Sequence, residues 1–123
     1  MYDMTKLKTR YFDIKLKNGK ILNIEPPKLK VLKKIAALSE VKNTEELGEK
    51  DISNLTEAVS LALSKNRQNF KISTEQVEDN YDIDEIVDLL NNYFEWVNSI
   101  QNSKNLNVHI IQTMTIIWTQ VIL

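Results

Sequence analysis

The chain has 123 residues, 42% of them hydrophobic and 27% charged, with 16 basic and 17 acidic side chains and a net charge of −1. That length and composition can bury a real core, which argues against wholesale disorder, and the near-neutral balance argues against a general nucleic-acid binder. With no Cys and a single His, His109, the sequence offers no disulfide, thiol nucleophile, Cys-type zinc site or His pair, and its two Gly form no phosphate-cradling loop. The expectation is a non-enzymatic protein with no cofactor, no metal site and no catalytic residues. Residues 1–10 are basic and polar and no apolar signal region follows them, so the chain reads as cytoplasmic.

Charge is distributed unevenly. Residues 1–50 carry 12 basic and 7 acidic side chains, residues 51–105 carry 4 and 10, and residues 106–123 carry none. A basic front and an acidic middle suit partners of both signs or a homo-oligomer built head to tail; they equally suit two solvated faces of one fold.

The first element spans about residues 11–24. Phe12, Ile14 and Leu16 alternate with polar residues, Leu22 and Ile24 share a face, and Asn18-Gly19 between the two runs predicts a β-hairpin closed by a type I′ turn. Pro26-Pro27 ends the second strand, and Pro27 suits the first turn of a following helix. In that helix Leu29, Leu32, Ile35 and Ala36 form the apolar stripe, with Val31 and Leu38 beside it, while Lys28, Lys30, Lys33 and Lys34 make the rest strongly basic. A polar link over residues 39–50 leads to a second helix over about 52–65, with Ile52, Leu55, Val59, Ala62 and Leu63 at helical spacing and Asn54 with Glu57 as a capping pair one turn in.

Ser73 with Gln76, and Asp82 with Glu85, have capping-box spacing. They predict a short helix over about 74–79 and a long one over about 83–102, whose stripe is Ile83, Ile86, Val87, Leu90, Tyr93, Phe94, Val97 and Ile100, with Trp96 at its margin. Eight carboxylates and no basic side chain lie between Glu75 and Glu95. The calcium-loop pattern fails there, because Glu85 stands where the loop needs Gly and Asn91 where it needs a bidentate Glu, so these carboxylates read as caps and a solvated acidic face.

Residues 106–123 differ from the rest, with 11 apolar residues among 18 and no charge. Asn107, His109, Gln112, Gln120 and the threonines are costly in hydrocarbon, which argues against a membrane span. The segment reads as one that packs on the body or on a partner: Val108, Ile110, Met114, Ile116, Trp118 and Ile122 suit a strand, and Ile110, Met114, Ile117 and Val121 equally suit one helical face. The fold class expected is mainly α with a small N-terminal hairpin (α+β), a helical bundle packed on two strands, in one domain over residues 1–105 followed by the apolar segment.

The order of these elements resembles the tail assembly chaperones of long-tailed phages and prophages of low-GC Gram-positive bacteria. The resemblance covers about residues 10–103 and rests on the hairpin ending Ile21-Leu22-Asn23-Ile24-Glu25-Pro26-Pro27, on Leu29-Lys30-Val31-Leu32-Lys33-Lys34-Ile35, on Glu75-Gln76-Val77-Glu78-Asp79, on Ile86-Val87-Asp88-Leu89-Leu90 and on Phe94-Glu95-Trp96-Val97. It implies a small, mostly helical, non-enzymatic protein that coats the tape measure protein, keeps it soluble, helps recruit major tail protein and is absent from the finished virion. It also implies a longer product made by translational frameshifting near the end of the first frame, and the composition breaks at Lys104-Asn105. The candidate partner-binding residues are Lys30, Lys33 and Lys34 on the basic helix and Ile110, Met114, Ile117, Trp118 and Val121 in the apolar segment. A tail-anchored membrane protein and a small nucleic-acid-binding regulator are the rival readings.

Overall fold

The computed structural model describes residues 1–6, 10–40 and 47–103. After a short 3₁₀ turn, Met4–Lys6, come strands β1 (Phe12–Lys15) and β2 (Ile21–Ile24), then helices α1 (Leu29–Leu38), α2 (Glu49–Ser64), α3 (Thr74–Asn80) and α4 (Ile83–Ser103). The fold is α+β and mainly helical, with one two-stranded antiparallel sheet among the described residues.

Alternation sets the sheet's two faces. Phe12 pairs with Ile24 and Ile14 with Leu22, which places all four side chains on one face, and Leu22 and Ile24 are fully buried there. On the other face Asp13 opposes Asn23, whose amide donates to the Asp13 carboxylate at 2.6 Å. The turn differs from the type I′ expectation. Only Gly19 has a positive φ, +88°, and the connection has three residues, closed by Gly19 N–H to Leu16 C=O (2.9 Å) and Leu16 N–H to Lys20 C=O (2.8 Å). A tight turn followed by a left-handed glycine relieves Asn18 of a positive φ and frees its side chain to accept from Lys20 N–H at 2.9 Å.

α2 is the element on which the others pack: α1, α3, α4 and β2 all contact it. Its Leu55, Ala58, Val59, Ala62 and Leu63 are buried, and small Ala58 and Ala62 let neighbours approach closely. The helix begins a turn earlier than its apolar spacing suggests. Asp51 accepts from Gly48 N–H at 3.1 Å and closes the first turn, so Asn54 and Glu57 are interior positions rather than caps. Helix α1 starts later than expected: Lys28 is still extended (ψ 155°), which leaves Pro27 outside the helix, and Leu29, at 68% exposure, lies off the buried face that Leu32 and Ile35 form. The other two helices begin as their capping boxes require. Ser73 and Gln76 exchange hydrogen bonds at 2.9 and 3.1 Å, and Asp82 and Glu85 at 3.0 and 2.9 Å.

Between α2 and α3 the chain turns through Asn66, which is 2% exposed. Its amide nitrogen donates to Leu63 C=O (2.8 Å) and Phe70 C=O (2.6 Å), and its oxygen accepts from Phe70 N–H (2.8 Å). Beside it, Glu25 N–H donates to Lys65 C=O and Arg67 N–H to Asn23 C=O, both at 2.9 Å, so residues 65–68 cover the outer edge of β2. Ser60 and Ser64 of α2 both donate to Ile72 C=O, which holds the following segment against the helix. Along α4, Ile86, Leu90, Tyr93, Phe94, Val97 and Ile100 are buried, and Trp96, half-buried, stacks on Phe12 with ring centroids 5.5 Å apart.

Two stability predictions follow from these buried polar groups. Asn66→Ala strands two carbonyls and one N–H, and should cost about 2–3 kcal/mol in urea unfolding. Among the described residues the buried Tyr93 hydroxyl has no hydrogen-bond partner, and burial pushes its pKa up. Tyr93→Phe removes that cost and should leave stability unchanged or raise it by about 1 kcal/mol; a loss above that size in the same assay would show that the hydroxyl has a partner.

Candidate functional site

β1 and α4 run in opposite directions. Phe12, at the start of β1, contacts Tyr93 and Trp96 late in α4, whereas Lys17, just past the end of β1, reaches Glu85 near the start of α4. Between them lies an open groove of about 380 Å³. Its α4 wall is Glu85, Asp88, Leu89 and Asn92, one stripe at helical spacing; its β1 wall includes Phe12, Ile14 and Leu16, and Leu63 of α2 also lines it.

Among the described residues the strand wall is an unpaired sheet edge. Leu16 is hydrogen-bonded to Lys20 in the ladder, so Ile14 and Phe12 face β2 through their backbone groups, and Asp13 and Lys15 turn theirs away from it. On β2 the equivalent outward groups, those of Asn23, are met by Arg67 N–H and by the Gln68 side chain. No hydrogen bond among the described residues meets the outward N–H and C=O groups of Asp13 and Lys15.

One ion pair closes the groove at the hairpin tip. The Lys17 ammonium donates to Glu85 at 2.7 Å and to the Asn80 carbonyl at the end of α3 at 2.8 Å, and it lies 5.1 Å from the Tyr81 ring centre. The hydrogen bond from Lys17, then that from Asp82 N–H, hold the Glu85 carboxyl below its ordinary range, and the bond to Glu85 raises the Lys17 pKa. Lys17 thus ties the hairpin to two helices at once.

The sequence-derived candidates fall in two places. Lys30 and Lys33 are exposed on α1, and Lys34 approaches Glu57 of α2 at 3.6 Å, so these lysines form a solvated basic face apart from the groove. Ile110, Met114, Ile117, Trp118 and Val121 lie outside the described residues, as does His109. Asp82 and Glu85, within the acidic cluster, are engaged as reciprocal caps, and among the described residues no group of three His, Asp or Glu side chains is placed to hold a metal ion. Also among the described residues, no helix is long and apolar enough to cross a membrane. The groove itself had no signal in the sequence beyond the alternation of β1, since it depends on how α4 crosses that strand.

The chain matches no family model, and comparison with curated proteins and with solved structures returns no match.

The Lys17–Glu85 pair gives a pH signature. Glu85 has a depressed pKa in the folded state, so its contribution is present above the ordinary glutamate value and is lost as pH falls through the folded value; that of Lys17 is lost only as pH rises past its raised value. Lys17→Met should therefore lower the melting temperature at pH 7, and the gap to wild type should narrow as the pH falls below the ordinary glutamate range. A gap that does not change as the pH falls would assign the effect to the Asn80 and Tyr81 contacts instead.

Proposed function

We propose that the chain is a non-enzymatic assembly chaperone of the phage tail type, which binds the tape measure protein in the host cytoplasm, keeps it soluble, helps recruit major tail protein and does not remain in the virion. The observation that carries this reading is the groove between β1 and α4, where half-buried Phe12, Ile14, Leu16 and Leu89 stand beside a strand edge that no described residue pairs. An apolar client segment gains burial there without disturbing the core, which centres on α2. The second support is the resemblance in element order and in the patterns of residues 10–103.

In this reading the groove and the apolar segment act together. Ile110, Met114, Ile117, Trp118 and Val121 supply apolar contacts to the client, and Lys30, Lys33 and Lys34 give a separate basic surface for acidic stretches of client or of major tail protein. The uneven charge keeps the free chain soluble while leaving one uncharged region for binding.

Co-expression of the tape measure protein from the same genome with and without this chain tests the reading. Soluble tape measure protein should rise several-fold with the chain present and co-purify with it. Leu89→Lys, which places a charge in the groove at a half-buried position, should reduce the captured amount about tenfold or more while the variant still melts cooperatively. Equal tape measure solubility with and without the chain would sink the chaperone reading.

A further inference from the structure

We propose that two copies of this chain join through the outer edge of β1, antiparallel and about a two-fold axis at Ile14, so that Asp13 of each copy stands opposite Lys15 of the other. The contact concerns the chain alone and holds or fails without any client.

Three observations point to a second copy as the occupant of this edge. The first is the edge itself. Asp13 and Lys15 turn their backbone N–H and C=O groups away from β2, and no hydrogen bond among the described residues meets them. Residues 65–68 cover the matching edge of β2, so β1 is the one open side of the sheet among the described residues. An extended backbone is the partner that satisfies such a row, and the groove beside the strand is open to its approach.

The second is charge. An antiparallel neighbour that exchanges hydrogen bonds with Asp13 and Lys15 sets its own outward-facing residues opposite them, so β1 against itself pairs odd-numbered residues with odd-numbered ones. A register centred on Asp13 puts two aspartates face to face, and one centred on Lys15 puts two lysines face to face. Centred on Ile14, every Asp13 meets a Lys15. Like charges directly opposite each other destabilise a sheet and unlike charges stabilise it, so the strand's own charges select the last register. Both side chains are exposed on the outer face, and among the described residues neither is held in an ion pair; the Asp13 carboxylate accepts from the Asn23 amide through one oxygen. Asp13-Ile14-Lys15 is thus its own antiparallel complement.

The third is the opposite face and its symmetry. The same register sets Ile14 against Ile14 and Phe12 against Leu16, and all three are half-buried side chains that line the groove. A two-fold contact closes after two copies, and the covered β2 edges leave the joined sheet no further strand edge among the described residues. This contact is face-matched, unlike the head-to-tail association that the uneven charge alone suggests. Where it rests on the proposed function, it adds regulation: a client strand that takes the β1 edge has to part the two copies, so pairing controls access to the groove.

Sedimentation equilibrium of the full-length chain, with amide exchange followed residue by residue by NMR over the same concentrations, tests the pairing. Between about 10 μM and about 1 mM the mass should rise from one copy towards two, and the Asp13 and Lys15 amides should become protected in step. Asp13→Lys and Lys15→Asp should each weaken association about tenfold or more, because each puts like charges opposite one another twice. Mixed together, the variant with two lysines and the variant with two aspartates should associate within about threefold of wild type. The Ile14 and Leu22 amides, inside the hairpin, report that each variant is folded.

A mass of one copy throughout the range would overturn the proposal. A doubled mass with unchanged Asp13 and Lys15 amides would overturn it in favour of another face, and protection that does not depend on concentration would overturn it in favour of an edge covered within one chain. Two variants that stay apart when mixed would rule out the register. If pairing is found and tape measure solubility is unaffected by the chain, the pairing stands and the chaperone reading alone fails.

Discussion

The buried side chain of Asn66 is the constraint around which the rest of the chain is arranged. A carboxamide at 2% exposure is tolerable only when its donors and acceptor are satisfied, and here three backbone groups, from Leu63 and Phe70, do so. Satisfying them fixes the path of the chain out of α2. Residues 65–68 are thereby laid along β2, Phe70 comes under the Lys20 ammonium at 3.6 Å from its ring centre, and Ile72 is delivered to the two serines of α2. A hairpin of two strands is marginal alone; this arrangement gives it one covered edge and a helix-backed face.

That same path makes the sheet one-sided. Because the turn after α2 spends its backbone on β2, β1 keeps an edge that no described residue pairs, and α4 runs antiparallel to it. The groove is the consequence, and its length is set by two fixed ends: the Phe12–Trp96 stack and the Lys17–Glu85 pair. Both ends anchor the hairpin to α4, one by apolar contact and one by charge.

Features that a few neighbouring residues decide were legible in the sequence. The hairpin's faces, the two capping boxes at Ser73 and Asp82, and the buried stripe of α4 all follow from local spacing, and each stands where that spacing puts it. Errors arose where a local rule admitted two outcomes. Asn-Gly permits a two-residue turn with both φ angles positive, yet a longer turn with Gly19 alone in that region lets the Asn18 side chain accept a hydrogen bond. Gly48 reads as linker, and only the Asp51 carboxylate, reaching back to its N–H, makes it the start of α2. Asn66 sits in Lys65-Asn66-Arg67-Gln68-Asn69, which reads as a solvated loop. Its burial is a tertiary fact, as is the groove, because both depend on where β2 and α4 lie relative to residues distant in sequence.

The uneven charge acquires a physical meaning from the same geometry. The basic front and acidic middle of the chain meet at two points among the described ion pairs: Lys17 with Glu85 at the hairpin tip, and Lys34 with Glu57 between α1 and α2. Pairing of this kind at exposed sites adds little stability, so the distribution is not there to hold the core together. Instead it leaves α1 with Lys28, Lys30 and Lys33 facing water and α4 with Asp84, Asp88 and Glu95 doing the same.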